Sequence, residues 1–226
     1  IDFGTLSARA VILDTESGYE AAEAVYEYPH GVMDKALPSG KPLPKDTALQ
    51  HPADYIEALK SVTCEALSSA GISGSDVAAV AIDFTSCTIL PIYADGTPLC
   101  ADEKYADEMH AYVKLWKHHG AQKEADAITA LAKKRGEAWV DIYGGKISSE
   151  FFLPKIMQIL NEAPEIYNDA DHFIEAGDWL SFILTGKMTR SVSFAGYKAN
   201  WVFGEGYPSS DFLRELDARL GNLFDG

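Results

Sequence analysis

The first 28 residues alternate between apolar stretches and short polar turns. Residues 1–3, 10–13 and 22–28 are largely apolar, whereas 4–7 and 15–18 are rich in glycine, serine and threonine. This pattern predicts three strands joined by tight turns, an antiparallel meander. Residues 29–50 then contain four prolines and two glycines, which predicts a long extended loop that lies over a surface or a site.

Apolar residues at helical spacing begin at Pro52 and continue to Gly71, which predicts a helix that ends at the glycine. The same spacing predicts further helices over 121–135, 153–160, 179–184 and 212–220. Apolar runs predict a buried strand over 77–84, a strand and an Asp95–Gly96 turn within 88–99, and a short strand at 171–175. Residues 113–117 fit a strand and a helix almost equally well.

The order of these elements is a meander, a helix, a strand and then mostly helices. We therefore predict an α/β fold with a mixed sheet that the antiparallel meander opens, flanked by helices. A doubly wound parallel sheet does not fit this order.

The composition narrows the class of protein. With 226 residues and 47% hydrophobic residues, the chain can bury a real core. The net charge of −15 argues against a nucleic-acid partner. No apolar run reaches the roughly 18 residues that a membrane helix needs, and no signal peptide is recognisable, so we expect no membrane attachment.

Cysteine usage favours a reducing, cytoplasmic compartment. The three cysteines, Cys64, Cys87 and Cys100, include no CxxC pair and suggest neither a disulfide framework nor a zinc site. The chain also starts inside a strand without an initiator Met, and we interpret it as a fragment.

The junction of the first two strands combines groups that suit phosphate. A tight turn at Gly4 lets backbone N–H groups converge, Thr5 and Ser7 add hydroxyls, and Arg9 adds positive charge. Asp2 beside the turn is a candidate magnesium ligand. The alternative is a plain polar hairpin in which Asp2 and Thr5 only satisfy the turn. No GxxxxGK[ST] phosphate loop is present.

A second candidate region follows the predicted strand over 77–84. The strand is followed by the small residues Thr85, Ser86 and Cys87. Residues of this kind at a strand end commonly line a ligand cleft. The alternative is that the two hydroxyls cap a turn and that Cys87 fills the core.

Two further segments carry polar groups next to aromatic or apolar ones. Trp116 offers a ring face that can stack on a sugar, and Lys117 offers hydrogen bonds; a core tryptophan before a solvated helix is the alternative. Lys198 lies between apolar neighbours, where a lysine is seldom buried without a polar partner. It either donates to a substrate hydroxyl or extends from a loop into water.

Taken in order, these segments resemble the FGGY family of carbohydrate kinases. The opening motif is shared by many sugar kinases, whereas LWKHH, SSEFFLPK and AGYKANW in this order are more specific. The resemblance rests on DFGTLSAR at 2–9, YPHG at 28–31, DFTSCTILP at 83–91, LWKHHGAQKEAD at 115–126, GGKISSEFFLPKIMQIL at 144–160, EAGDWLSFILTG at 175–186 and AGYKANW at 195–201.

The resemblance implies a two-domain enzyme in which each domain has a ribonuclease-H-like core of the actin/hexokinase type. Residues 1–226 then form the N-terminal, mainly sugar-binding domain, and its partner is an ATP-binding C-terminal domain of the same polypeptide. The implied reaction is phosphorylation of a ketopentose such as L-ribulose, with ATP and Mg²⁺. The oligomeric state stays open, with a homodimer as one option.

The resemblance also implies roles for individual residues. Asp2 lies near the metal, and the ATP phosphates are faced by Gly4, Thr5, Ser7 and Arg9. Sugar contacts come from Ser86, Cys87 and Lys198, and the cleft is further lined by Trp116, Lys117 and Glu150.

Such kinases need a catalytic aspartate that takes the proton of the attacking sugar hydroxyl. In relatives it lies downstream, and we find no equivalent before Gly226. We interpret Asp83 and Asp178 as structural, so we expect the chain alone to be inactive. Alternatives are a sugar-binding or regulatory module without phosphoryl transfer, another FGGY sugar kinase, and an actin- or chaperone-like ATPase, which the segments after residue 113 disfavour.

Overall fold

The computed structural model describes residues 1–224, which form eight strands and eight α-helices. The strands are β1 (Asp2–Phe3), β2 (Ser7–Leu13), β3 (Glu20–Glu27), β4 (Leu49–Gln50), β5 (Asp83–Phe84), β6 (Ile89–Ile92), β7 (Val113–Lys114) and β8 (His172–Glu175). The helices are α1 (Pro52–Ala70), α2 (Gln122–Arg135), α3 (Trp139–Ile142), α4 (Phe152–Glu162), α5 (Pro164–Asp169), α6 (Ala176–Thr185), α7 (Val192–Lys198) and α8 (Ser210–Leu216).

The first sheet has the strand order β3-β2-β1-β5. Strands β1, β2 and β3 form the predicted antiparallel meander, and β5 joins β1 in parallel. The prediction of a mixed sheet opened by a meander is therefore confirmed.

The face of the first sheet that packs against α1 carries aromatic side chains. Phe3 and Phe84 are register partners on β1 and β5, and their rings stack with centroids 5.2 Å apart. Tyr55 of α1 meets the Phe84 ring edge-on at 5.0 Å, and α1 packs along β2 and β3. Side chains alternate across a strand, so the residues preceding Phe3 and Phe84 point to the opposite face.

Helix α1 begins and ends as predicted. Pro52 occupies the first turn, the His51 side chain accepts a hydrogen bond from the Ala53 N–H, and Gly71 ends the helix in the left-handed conformation. The buried Asp54 carboxylate accepts hydrogen bonds from the backbone N–H and the imidazole of His30. The YPHG segment is thereby fixed to the start of α1.

The predicted buried strand over 77–84 is wrong for most of its length. Only Asp83–Phe84 is a strand, and Val77 and Val80 are exposed. The parallel register pairs Asp2 with Asp83, and the Ile1 amino group donates to the Ala81 carbonyl. In the part of the chain that the structure describes, residues 77–80 pair with no strand, and their side chains are left exposed.

The second sheet is antiparallel, with the order β4-β7-β6-β8. Val113–Lys114 is one of its strands, which decides between the two predictions for 113–117. The predicted strand at 171–175 is confirmed as His172–Glu175. Helix α4 and its neighbours pack beside this sheet and bury the second core cluster, which includes Ile89 and Ile156.

Three short helices, α3, α5 and α7, were not predicted, and the last predicted helix is shorter than expected. It ends at Leu216 because Asp217 is extended, and a single 3-10 turn follows at Ala218–Leu220. Helix α7 places Lys198 in its last turn and not in a loop. Within the described part of the chain, no helix is both long and apolar enough to cross a membrane.

Candidate active site

Charged residues line up across the exposed face of the first sheet. Asp2 is the register partner of Arg9 on one side and of Asp83 on the other. Because Phe3 and Phe84 occupy the core face, the three charged side chains project from the opposite face. Strand register thus brings Asp2, the candidate metal ligand, and Arg9, the candidate phosphate contact, to one face. Asp83, which the sequence suggested as structural, lies beside them as a second carboxylate.

The turn between β1 and β2 is held by backbone and side-chain hydrogen bonds. The Gly4 N–H donates to the Ser7 carbonyl at 2.9 Å, and a Cβ at Gly4 would lie only 3.3 Å from that oxygen. The Gln50 amide donates to the Thr5 carbonyl at 2.8 Å, while Tyr55 fixes Gln50 from behind. The backbone of the turn is therefore set without use of the Thr5 side chain.

The Thr5 hydroxyl instead meets a residue of the predicted sugar-lining segment. The Trp116 indole N–H donates to Thr5 Oγ1 at 3.1 Å, although the two residues are 111 positions apart. Trp116 and Lys117 are both half-buried. The structure therefore brings the predicted phosphate turn and the predicted sugar segment into direct contact.

Lys198 and Glu150, which the sequence suggested separately, form an ion pair. Lys198 Nζ donates to Glu150 Oε2 at 2.8 Å, with 15% and 25% of the two side chains exposed. His119 lies beside them, since its Nε2 is 4.0 Å from Glu150 Oε1 and its Nδ1 is 3.2 Å from the Ser149 hydroxyl. Sequence reasoning did not select His119 or Ser149.

Ser86 and Cys87 differ in whether their side chains are free to bind a ligand. Ser86 Oγ is buried and has no hydrogen-bond partner among residues 1–224, so its capacity to donate and accept is unused. Cys87 has a backbone φ of 63°, and its side chain is fully buried in the second core cluster. Burial raises the pKa of its thiol to about 12. Contrary to the prediction, the Cys87 side chain faces the core and is not presented to a ligand.

The carbonyl of Cys87 is held by a buried lysine that sequence reasoning missed. Lys155 Nζ, from α4, donates to the Cys87 carbonyl at 2.6 Å and to the Leu115 carbonyl at 2.9 Å. Lys155 is fully buried, and this burial lowers the pKa of its ammonium group. One side chain thus fixes the residues next to Ser86 and Trp116. The only sequence signal was a charged residue within the apolar run LPKIM.

Two further buried charges lie in the same region. Glu175 accepts a hydrogen bond from the Thr88 N–H at 3.1 Å, and its burial raises the pKa of its carboxyl group to about 8. Lys114 Nζ has no hydrogen-bond partner in the described part of the chain, and burial lowers its pKa to about 7.

Asp178 is placed as the sequence suggested. It lies in the first turn of α6, where its carboxylate accepts a hydrogen bond from the Ser191 N–H at 2.9 Å. Burial raises the pKa of this carboxyl group. These contacts support the structural interpretation of Asp178.

A group of potential metal ligands lies near the start of α1. Atoms of His30, His51 and Asp54 all lie within 4.8 Å of one another. The His30 Nδ1 is 2.7 Å from Asp54 Oδ1, and the His51 Nδ1 accepts from the Ala53 N–H. The Nδ1 atoms of both histidines and the Asp54 carboxylate are thus engaged in hydrogen bonds within this part of the fold.

Comparison with known proteins decides the family. The model of the N-terminal domain of the FGGY family of carbohydrate kinases matches residues 1–201. The chain belongs to the FGGY family of carbohydrate kinases. This match confirms the family resemblance that the sequence motifs indicated.

Several relatives of this FGGY chain bear the name ribulokinase. It is 52% identical over 224 residues to the ribulokinase of Geobacillus thermodenitrificans, covering 99% of this chain and 40% of that protein. It is likewise 52% identical over 224 residues, with the same coverage, to the ribulokinase of Anoxybacillus flavithermus. The chain therefore spans about 40% of the length of these relatives.

The fold also matches solved structures of sugar kinases. A ligand-bound xylulose kinase from Lactobacillus acidophilus superposes with a TM-score of 0.69 at 19% sequence identity, over 95% of this chain and 38% of that one. At this identity the match establishes the fold alone. It confirms the expected α/β fold of the actin/hexokinase type.

Proposed function

We propose that this chain is the N-terminal, sugar-binding half of a kinase that transfers phosphate from ATP to a ketopentose, with L-ribulose as its substrate. The observation that carries the proposal is the contact between Thr5 and Trp116, which joins a phosphate-suited turn to a sugar-suited segment. The substrate is suggested by relatives named ribulokinase that align over 99% of the chain.

The phosphate end would be formed by the first sheet and its turn. Its residues fit ATP with Mg²⁺, because the carboxylates of Asp2 and Asp83 project side by side from strands in register and oxygen atoms are the ligands that magnesium prefers. Arg9, Ser7 and the Gly4–Thr5 turn then supply positive charge and donors for phosphate oxygens. Bound Mg²⁺ would neutralise phosphate charge as it develops.

The sugar end would be formed around the Lys198–Glu150 pair. An ammonium group next to a carboxylate offers a donor and an acceptor to neighbouring hydroxyls of a sugar. We assign to the same end Ser86, whose buried hydroxyl has no partner among the described residues, and the half-buried Trp116 and Lys117. Cys87 acts here through its backbone, because its left-handed φ turns the chain where Lys155 binds its carbonyl.

The reaction needs groups that we do not assign to this chain. We propose that the catalytic aspartate and the adenine-binding domain lie in the part of the relatives that this chain does not cover. The 226-residue chain should then bind sugar groups without turnover. A cytoplasmic location stays a prediction.

The proposal is tested by an ATP-coupled assay of the full-length protein with L-ribulose, D-xylulose and glycerol. We expect the highest kcat/KM with L-ribulose and no turnover by the 226-residue chain. Full-length protein that binds L-ribulose but transfers no phosphate would favour a sugar-binding module. Turnover by the short chain would show that the catalytic base lies within it.

A further inference from the structure

We infer that the Trp116 indole N–H orients the hydroxyl group of Thr5, so that the Thr5 proton is directed to a phosphate oxygen of ATP. Trp116 is then a positioning residue for the phosphate end of the site, in addition to lining the sugar end. This inference rests on the proposed function.

Trp116 and Thr5 differ in the hydrogen bonds that their side chains can form. An indole N–H can only donate, whereas a threonine hydroxyl donates one hydrogen bond and accepts up to two. In the 3.1 Å contact, Thr5 Oγ1 must therefore be the acceptor. Its own proton is left for a different partner, and none of the described residues accepts it.

The turn between β1 and β2 does not need the hydrogen bond from Trp116 for its shape. The Thr5 carbonyl accepts from Gln50, and the Gly4 N–H donates to Ser7. Loss of the indole N–H would thus leave the backbone in place. The contact acts on the rotation of one hydroxyl group.

The backbone next to Trp116 is held in place. The neighbouring Leu115 is fully buried, and its carbonyl is bound by Lys155. A fixed donor that approaches Oγ1 from one side restricts where the hydroxyl proton can point. A hydrogen bond accepted by a hydroxyl also strengthens the bond that the hydroxyl donates.

The remaining proton of Thr5 identifies the ligand atom. A sugar hydroxyl can donate or accept, so it places no demand on the direction of the Thr5 proton. A phosphate oxygen only accepts, so it matches the one proton that Thr5 still has to donate. Thr5 also lies at the end of the strand that carries Asp2, where Arg9 adds positive charge across the register.

The test uses steady-state kinetics of the full-length protein with varied ATP and varied L-ribulose. Trp116→Phe keeps an aromatic face and removes the N–H. We expect the KM for ATP to rise roughly 3- to 10-fold, as for one lost hydrogen bond. The KM for L-ribulose should change less than the KM for ATP, because phenylalanine keeps the aromatic face that lines the sugar end. Thr5→Val should raise the KM for ATP at least as much, and Thr5→Ser, which keeps the hydroxyl, should behave like wild type.

The double variant Trp116→Phe/Thr5→Val decides whether the two residues act as one unit. We expect it to be no worse than Thr5→Val alone, because the N–H has no role without the hydroxyl. Additive effects, or a Trp116→Phe variant that changes only the KM for L-ribulose, would overturn the inference. Wild-type protein that phosphorylates no sugar would instead refute the proposed function, so the two failures are distinguishable.

Discussion

The side chains buried against the two sheets differ in chemistry. Behind the first sheet, Phe3, Phe84 and Tyr55 form a purely aromatic contact set. Beside the second sheet, Lys155 and Glu175 are buried behind the segments that carry the predicted sugar contacts. Apolar packing and hydrogen bonds of uncharged side chains place the turn between β1 and β2, whereas on the proposed sugar side buried ionisable groups bind backbone groups of neighbouring segments.

Two buried lysines of the second region sharpen this difference. Both are fully buried, and burial lowers the pKa of each. Lys155 binds the carbonyls of Cys87 and Leu115, whereas Lys114 Nζ binds no described group. Burial of the charge is offset by hydrogen bonds at Lys155 only, which gives Lys155 a role in positioning the site.

The largest expected effect is in the first sheet. Phe3→Ala should lower the free energy of unfolding by about 3–5 kcal/mol, because it removes a fully buried aromatic ring. The loss should be equal at pH 6 and pH 9, since burial raises the pKa of Tyr55, the ionisable residue of this contact set, well above its ordinary value of 10. Urea unfolding at both pH values measures it, and the exposed Val25→Ala on the same sheet should change stability by less than about 0.5 kcal/mol.

The next effect separates the two lysines. Lys155→Met should lower the free energy of unfolding by about 2 kcal/mol, because two buried carbonyls lose their donor. Lys114→Met is the matched control, with the same substitution at equal burial. It should be neutral or stabilising at pH 7, since it removes a buried charge without a partner.

Urea unfolding of both variants at pH 7 makes the comparison. Equal losses would show that the carbonyl contacts of Lys155 contribute nothing beyond packing. If Lys155→Met is as stable as wild type, the lysine does not stabilise the site through these carbonyls.

Taken per pH unit, the smallest expected effect is the pH slope that Glu175 contributes. The Glu175 carboxyl group has a pKa of about 8 in the folded protein against an ordinary value of 4.5. Between these values the folded state binds more protons than the unfolded state, so Glu175 makes the free energy of unfolding fall as pH rises, by up to about 1.4 kcal/mol per pH unit. Glu175→Gln should remove this contribution.

Unfolding free energies of wild type and Glu175→Gln from pH 5 to pH 8 measure the difference. The advantage of the variant should grow with pH across this range. A constant difference would mean that Glu175 titrates in the folded protein as it does in the unfolded chain.

Much of the first sheet could be predicted from local sequence. Alternating apolar residues and short turns determine the meander, and Pro52 with Gly71 bounds α1. Once β1 and β2 pair in register, Asp2 and Arg9 necessarily share a face. The placement of Asp2 and Arg9 at the proposed phosphate end could therefore be predicted from the sequence.

The sugar side could not be predicted in the same way, because its contacts join distant segments. Thr5 and Trp116 are 111 residues apart, and Lys155 binds Cys87 from 68 residues away. An apolar run such as 77–84 also does not specify its partner strand. Likewise, the strand-end pattern at Cys87 did not indicate the left-handed backbone that turns its side chain into the core.

We propose that Lys198 marks the sugar end of the site. The most direct measurement is a calorimetric titration of L-ribulose into the full-length protein, as wild type and as Lys198→Ala, with the exposed Lys187→Ala as control. We predict binding by wild type and Lys187→Ala, and an affinity reduced roughly tenfold or more for Lys198→Ala through loss of a charged donor. Equal affinities of Lys198→Ala and wild type would contradict the account.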